Sequence, residues 1–162
     1  MSKAKPFLKW AGGKHSLLPE LVKRLPRSYT TYNELFLGGG ALFFEVSPIS
    51  ANLSDINSEL INTYTQVRDN VMYLMQDLAD LWDGHDEEFY YKIRKNFKNA
   101  PYLTRAAQFI YLNKTCFNGL YRENKSGEFN VPVGSYKNPK ILDEDCLLEA
   151  NKALQGTTLL SQ

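Results

Sequence analysis

At 162 residues, 43% of them hydrophobic, the chain suits one ordinary domain with a real core, and its composition marks no segment as disordered. No apolar run approaches the ~18 residues of a membrane span, the N-terminal residues lack a signal peptide's apolar core, and two cysteines and two histidines without zinc-type spacing argue against a metal site. The expectation is a cytoplasmic protein with reduced thiols, no metal and no membrane partner. A net charge of +1 conceals a division, because residues 87–140 hold ten Lys/Arg against four Glu, which leaves the rest of the chain at −5. That basic middle is rich in aromatics, a composition that suits a polyanion partner as well as lysines solvated over a tyrosine-rich core.

In chain order, Pro6–Lys14 has the look of a phosphate loop ending in Gly13-Lys14. The spacing refuses it, because the glycine required five positions before Gly13 is Leu8. Trp10 can be a flat surface for a purine or a buried core residue. Lys14 can meet a carboxylate or phosphate, or lie on the surface. Leu17, Leu18, Leu21, Val22 and Leu25 then fall on one face of a helix, with Pro19 in its first turn and Pro26 closing it.

A strand is expected at 31–36, followed by the turn Phe36-Leu37-Gly38-Gly39-Gly40 and a helix from about Ala41. Three glycines between strand and helix allow a tight turn and close approach of a ligand. Gly38-x-Gly40 is part of a nucleotide-binding fingerprint, although Phe43 stands where its third glycine would be. A glycine cluster alone is usually a plain turn. Here Asp55 follows Gly38 by seventeen residues, at the tip of a second strand at 51–54. An acid about 20 residues on is placed to accept hydrogen bonds from ribose hydroxyls, so a nucleoside-type cofactor is expected. Asn57 or Ser58 caps a helix through Arg68.

Beyond residue 70, amphipathic runs at 71–82, 89–97 and 106–112 predict three helices with no strand between them, which resembles an insertion into an α/β sheet. Residues 113–140 form a long irregular stretch with turn signals at Asn118-Gly119, Ser126-Gly127 and Gly134-Ser135, and a hairpin is expected about Phe129–Tyr136. Its Asn, Arg, Tyr and Lys residues are types that contact phosphates and base edges, or simply a polar surface. A helix from Asp143 to Leu154 and a final strand at 157–161 complete the reading.

Five blocks now stand in order: Phe7-Leu8-Lys9-Trp10-Ala11-Gly12-Gly13-Lys14; Glu34 to Gly40; Asp55-Ile56-Asn57-Ser58-Glu59-Leu60-Ile61; Asn118-Gly119-Leu120-Tyr121-Arg122; and Gly127 to Lys137. Together they closely resemble the Dam-type (D12 class) adenine-N6 DNA methyltransferases, over essentially the whole chain. The resemblance implies an α/β fold, a partial Rossmann-like methyltransferase sheet with an inserted helical DNA-recognition domain. Residues 1–70 and 141–162 would bind S-adenosyl-L-methionine, and 71–140 would form the target-recognition domain. It implies that Trp10, Lys14, Phe36, Gly38, Gly40 and Asp55 line the cofactor pocket. Lys9, Phe117, Asn118, Leu120, Arg122, Tyr136 and Lys137 would meet double-stranded DNA, with Phe117 inserted into the base stack. Family members that read GATC commonly carry Arg where this chain has Ser135.

The family also carries an Asp-Pro-Pro-Tyr block on the strand after the one at 157–161. Its carboxylate and a neighbouring carbonyl accept the N–H bonds of the adenine amine, and its aromatic stacks on the extruded base. None of the seven prolines here adjoins another, so the 162 residues do not contain that block. No residue is therefore assigned a catalytic role. Weak cofactor binding is expected, without methyl transfer by this chain alone. With about three strands, the first should present an open edge, suited to a complementary chain or a homodimer. The alternative is a non-enzymatic remnant that binds DNA or a protein partner. A dinucleotide oxidoreductase would explain the glycine turn but none of the basic middle.

Overall fold

The structure, a computed structural model, describes residues 3–13 and 15–161. The three expected strands appear as β1 (Tyr32–Glu34), β2 (Ala51–Asp55) and β3 (Thr157–Ser161). They form one parallel sheet in the order β1-β2-β3, with Tyr32 opposite Ala51 and Leu53 opposite Leu159. β1 is shorter than the sequence predicts. Leu35 and Phe36 leave the ladder and are exposed, and the chain then returns to the tip of β2, where the Leu37 N–H donates to the Ser54 carbonyl at 3.0 Å.

The helices are α1 (Leu18–Arg24), α2 (Ala41–Val46), α3 (Ser58–Asp69), α4 (Val71–Asp83), α5 (Glu87–Asn96), α6 (Tyr102–Thr115) and α7 (Glu144–Leu154). Three of them start on side-chain caps. Asn57 Oδ1 accepts the Leu60 N–H at 3.0 Å, Asp86 accepts that of Phe89 at 2.7 Å, and Asp143 that of Cys146 at 3.4 Å. Such a cap is worth about 1 kcal/mol against alanine. α2 crosses from β1 to β2 and buries Phe43 and Phe44. Everything from α3 to α7 lies between β2 and β3 in the chain.

One contiguous core runs from Phe7 and Leu53 through Leu74 and Ile110 to Phe129 and Leu147. α6 passes through its middle, packed on α3 and α4 and buried on nearly every side from Ala106 to Leu112. Both cysteines, Cys116 and Cys146, are buried free thiols.

Two expectations are corrected. The apolar face of α1 is not a core face: Leu17 and Val22 are exposed and no residue of the helix is buried. α1 packs mainly on α2; Leu18, Leu21 and Leu25 are partly buried, and Leu21 and Leu25 line a cleft. The hairpin lies earlier than Phe129–Tyr136. Its ladder joins Arg122–Asn124 to Glu128–Asn130, where the Asn130 N–H donates to the Arg122 carbonyl (3.0 Å) and the Asn124 N–H to the Glu128 carbonyl (2.9 Å). Asn124 Oδ1 accepts the Ser126 and Glu128 amides and so fixes the turn at 124–128. Residues 132–134 pair instead with the end of α6, through Cys116 opposite Val133.

Candidate functional site

A cleft of about 730 Å³ opens where the tips of β1 and β2 meet the glycine turn. Trp10 and Ala11–Gly13 form one wall, Glu34 to Gly39 another, and Asp55 lies among the lining residues. This is the carboxyl end of a parallel sheet, where ligands of α/β proteins bind. Asp55, 9% exposed, is held from both sides. The Gly38 N–H donates to its Oδ2 at 2.9 Å and the Asn57 N–H to its Oδ1 at 3.0 Å. Each carboxylate oxygen has a second lone pair, so the pinned group still has capacity for a ligand's hydroxyls.

The glycine turn is shaped by packing as much as by access. Gly38 has φ +50, and a Cβ there would stand 2.8 Å from Trp10 Cδ1; one at Gly39 would stand 3.2 Å from Trp10 Cβ. The indole therefore lies directly on the turn, and it is fixed from behind. Its ring stacks on Phe109 (6.2 Å between centroids) and Tyr121 (5.9 Å). Trp10 is thus neither wholly core nor wholly surface, since it fills the turn and also walls the cleft. Gly40 also serves packing: its missing Cβ leaves room for Tyr64 Oη, and it is not among the residues lining the cleft. Phe36, 84% exposed, stands at the cleft rim. Lys14 lies outside the described residues.

Glu34 was not among the expected site residues, yet it faces the cleft. Burial pushes its carboxyl above the ordinary range. The Tyr32 hydroxyl, which donates to Oε2 at 2.8 Å, and a backbone hydrogen bond from Phe43 pull the other way. Its signal in the sequence was a charged residue inside a short strand directly before the glycines, where it read as an ordinary strand position. The donor set here is oxygen-rich and anionic, which fits a ligand carrying hydroxyls and a positive group. No group of three His, Cys, Asp or Glu suited to a metal ion occurs among the described residues.

The second set of residues gathers at the end of α6. There Phe117-Asn118-Gly119 forms a 3-10 turn with Asn118 in a left-handed conformation, φ 54. The turn is zipped to the following segment, the Phe117 N–H donating to the Pro132 carbonyl (2.9 Å) and the Gly134 N–H to the Thr115 carbonyl (2.8 Å). Phe117 is 50% exposed, and Asn118 is exposed beside it. The Lys9 ammonium lies 4.1 Å over the Tyr136 ring. Lys137 is exposed. Leu120 is less outward than the sequence suggests, half-buried against the core, whereas Arg122 is exposed and staples the hairpin, its Nε donating to Asn130 Oδ1 at 2.7 Å.

The structure also divides the cations of the basic middle. Lys98 bridges Glu123 (2.7 Å) and Glu59 (3.5 Å), and Arg105 Nε pairs with Glu59 at 2.9 Å without the alignment of a hydrogen bond. Arg94 donates to the Val131 carbonyl, and Lys140 pairs with Asp143. Lys92, Lys95, Lys125 and Lys137 remain exposed. Lys98, Arg122 and Lys140 are exposed as well, so part of the basic charge is paired with acids and much of it still faces outward.

A family model described as D12 class N6 adenine-specific DNA methyltransferase matches residues 10–162. Among similar proteins, the Type II methyltransferase M.MjaIII of Methanocaldococcus jannaschii is 45% identical over 176 residues, covering 96% of this chain and 61% of its own length. The Type II methyltransferase M1.LlaDCHI of Lactococcus lactis subsp. cremoris is 40% identical, covering 96% and 56%. A DNA adenine methylase of Serratia marcescens is 38% identical, covering 97% and 59%. The chain thus spans a little over half the length of these relatives. With a match that leaves out only the first nine residues, the chain belongs to the D12 class N6 adenine-specific DNA methyltransferase family.

Proposed function

We propose that this chain supplies the cofactor cleft and the duplex-reading surface of an enzyme that moves a methyl group from S-adenosyl-L-methionine to adenine N6 in double-stranded DNA. The observation that carries this reading is the pinned Asp55 carboxylate in a cleft walled by Trp10 and the glycine turn. In this reading Asp55 receives the ribose hydroxyls and Trp10 with Phe36 flanks the purine. Glu34 faces the ammonium of the methionine part. The cofactor, when bound, supplies an electrophilic methyl group. The chain's own residues hold it, exclude water from one side through the Trp10–Phe109–Tyr121 stack, and leave the sheet tip open toward the acceptor.

On the DNA side, Lys9, Asn118, Arg122, Tyr136 and Lys137 meet the duplex, and the half-exposed Phe117 ring enters the base stack that an extruded adenine leaves. Leu120 supports that surface from beneath. Ser135 in place of arginine leaves one fewer cation on that surface. The Asp-Pro-Pro-Tyr block is not among the 162 residues, so the assignment covers binding and not proton handling at the amine. The free edge of β1 is where a complementary chain or second copy would add a strand.

Calorimetric titration with S-adenosylhomocysteine, the cofactor's product form, tests the cleft. Saturable binding in the parent and its loss in Asp55→Ala are expected. Normal binding by Asp55→Ala would refute the assignment. Duplex retention without any cofactor binding would favour a DNA-binding remnant instead.

A further inference from the structure

Lys9 and Trp10 are consecutive, yet they serve the two different surfaces of the site. Trp10 walls the cleft, while the Lys9 ammonium lies over Tyr136 beside the recognition turn. α6 grips this dipeptide with two residues one turn apart. Phe109 stacks on Trp10, and Asn113 holds the Lys9 backbone.

Asn113 is 4% exposed, and its amide group uses all of its hydrogens. Oδ1 accepts the Lys9 N–H at 2.8 Å, and Nδ2 donates to the Lys9 carbonyl at 2.7 Å and to the Gly119 carbonyl at 3.1 Å. Only one orientation of the amide satisfies one N–H and two carbonyls. The side chain therefore acts like a strand partner for Lys9 and ties Lys9 to the 117–119 turn. Gly119, at φ +63, completes the contact: a Cβ there would stand 2.6 Å from Lys9 Cβ and 2.5 Å from Cδ. Asn113 thus links the Lys9 backbone to the turn by hydrogen bonds, alongside the direct packing of Gly119 on the Lys9 side chain.

We propose that Asn113 is a positioning residue that couples occupancy of the cofactor cleft to duplex binding at the Phe117–Gly119 turn. This rests on the function proposed above. A buried amide whose three bonds all go to two functional segments gives the coupling a physical path, and couplings of this kind are typically about 5–150-fold in affinity.

The test measures binding of a labelled mixed-sequence duplex by the full 162-residue chain, with and without saturating S-adenosylhomocysteine. The parent should bind the duplex at least about fivefold more tightly with the ligand present. Asn113→Ala should bring that ratio to about one while still binding S-adenosylhomocysteine alone. A role confined to stability would shift both affinities and leave the ratio intact. Should Asn113→Ala fail to fold, hydrogen exchange on the parent decides the matter: S-adenosylhomocysteine alone should slow the amides of Phe117 and Leu120. Unchanged exchange there, a preserved ratio in Asn113→Ala, or a ratio of one in a parent that binds both ligands would overturn the coupling alone. A parent that binds neither ligand would remove the proposed function together with the coupling.

Discussion

Replacing Gly38 by alanine tests whether the glycine turn is shaped by the indole lying on it. Two penalties add. An L-residue at φ +50 costs about 1–2 kcal/mol. A methyl 2.8 Å from Trp10 Cδ1 overpacks the turn, at about 1–3 kcal/mol. The ring cannot swing aside cheaply, because Phe109 and Tyr121 are stacked behind it. The expected loss is about 3 kcal/mol, or about 6–12 °C in melting temperature for a chain of this size. Gly127→Ala is the control. Its φ is +75, but a Cβ there meets nothing within 4 Å, so only the backbone penalty of about 1 kcal/mol applies. Thermal denaturation followed by circular dichroism reads both variants. A double-mutant cycle with Trp10→Ala should show relief at position 38, since the pair is in contact. Equal losses for Gly38→Ala and Gly127→Ala, or a cycle with no interaction between 38 and 10, would refute the reasoning.

Three further outcomes are expected. Asp55→Asn sets an NH₂ group against one of two backbone donors, so stability should fall by about 1–3 kcal/mol in urea titration, with loss of S-adenosylhomocysteine binding. Glu34 carries a raised pKa, so the unfolded chain ionises it first, and stability falls as pH rises from the ordinary glutamate value through the raised one. Glu34→Gln should remove that loss: melting curves of parent and variant should separate in the variant's favour at neutral pH and converge in acid, and a variant less stable at neutral pH would contradict the sign. Charge reversal at Lys137 together with Arg122 should abolish duplex retardation in gels, and parent affinity should fall steeply with salt; an unchanged shift would move the surface elsewhere.

The sheet was legible in the sequence because short apolar runs bounded by turn residues have few other uses, and 51–54 and 157–161 emerge within a residue of their predicted limits. The cap at Asn57 was equally legible, because the chemistry is local. What failed depended on partners distant in sequence. Val22 has a helical apolar spacing, but it stays 41% exposed on a helix with no buried residue. Gly40 matches a fingerprint, and the second use of its bare Cα, room for Tyr64, was not legible. The hairpin was misplaced because the Asx turn at Asn124 competes with the more conspicuous Gly134-Ser135 signal. Asn113 was read as the start of the irregular stretch, whereas the helix runs on to Thr115 and the side chain's partners lie at Lys9 and Gly119.

The position of β3 bears on how the chain reaches this state. Leu53 and Leu159 meet in register only after every helix from α3 to α7 has been threaded between them. Pairings this remote in sequence are slow to form, because the closure entropy is spent before the contact rewards it. The helices, held by near neighbours such as α3 with α4 and α5 with α6, can assemble first and carry the two strand ends toward each other. The last ladder to close is then the one that frames the tip of β2. Asp55 sits at that tip, so the ligand cradle is finished at the end of folding, and a refolding signal from ligand binding should lag behind the recovery of helix.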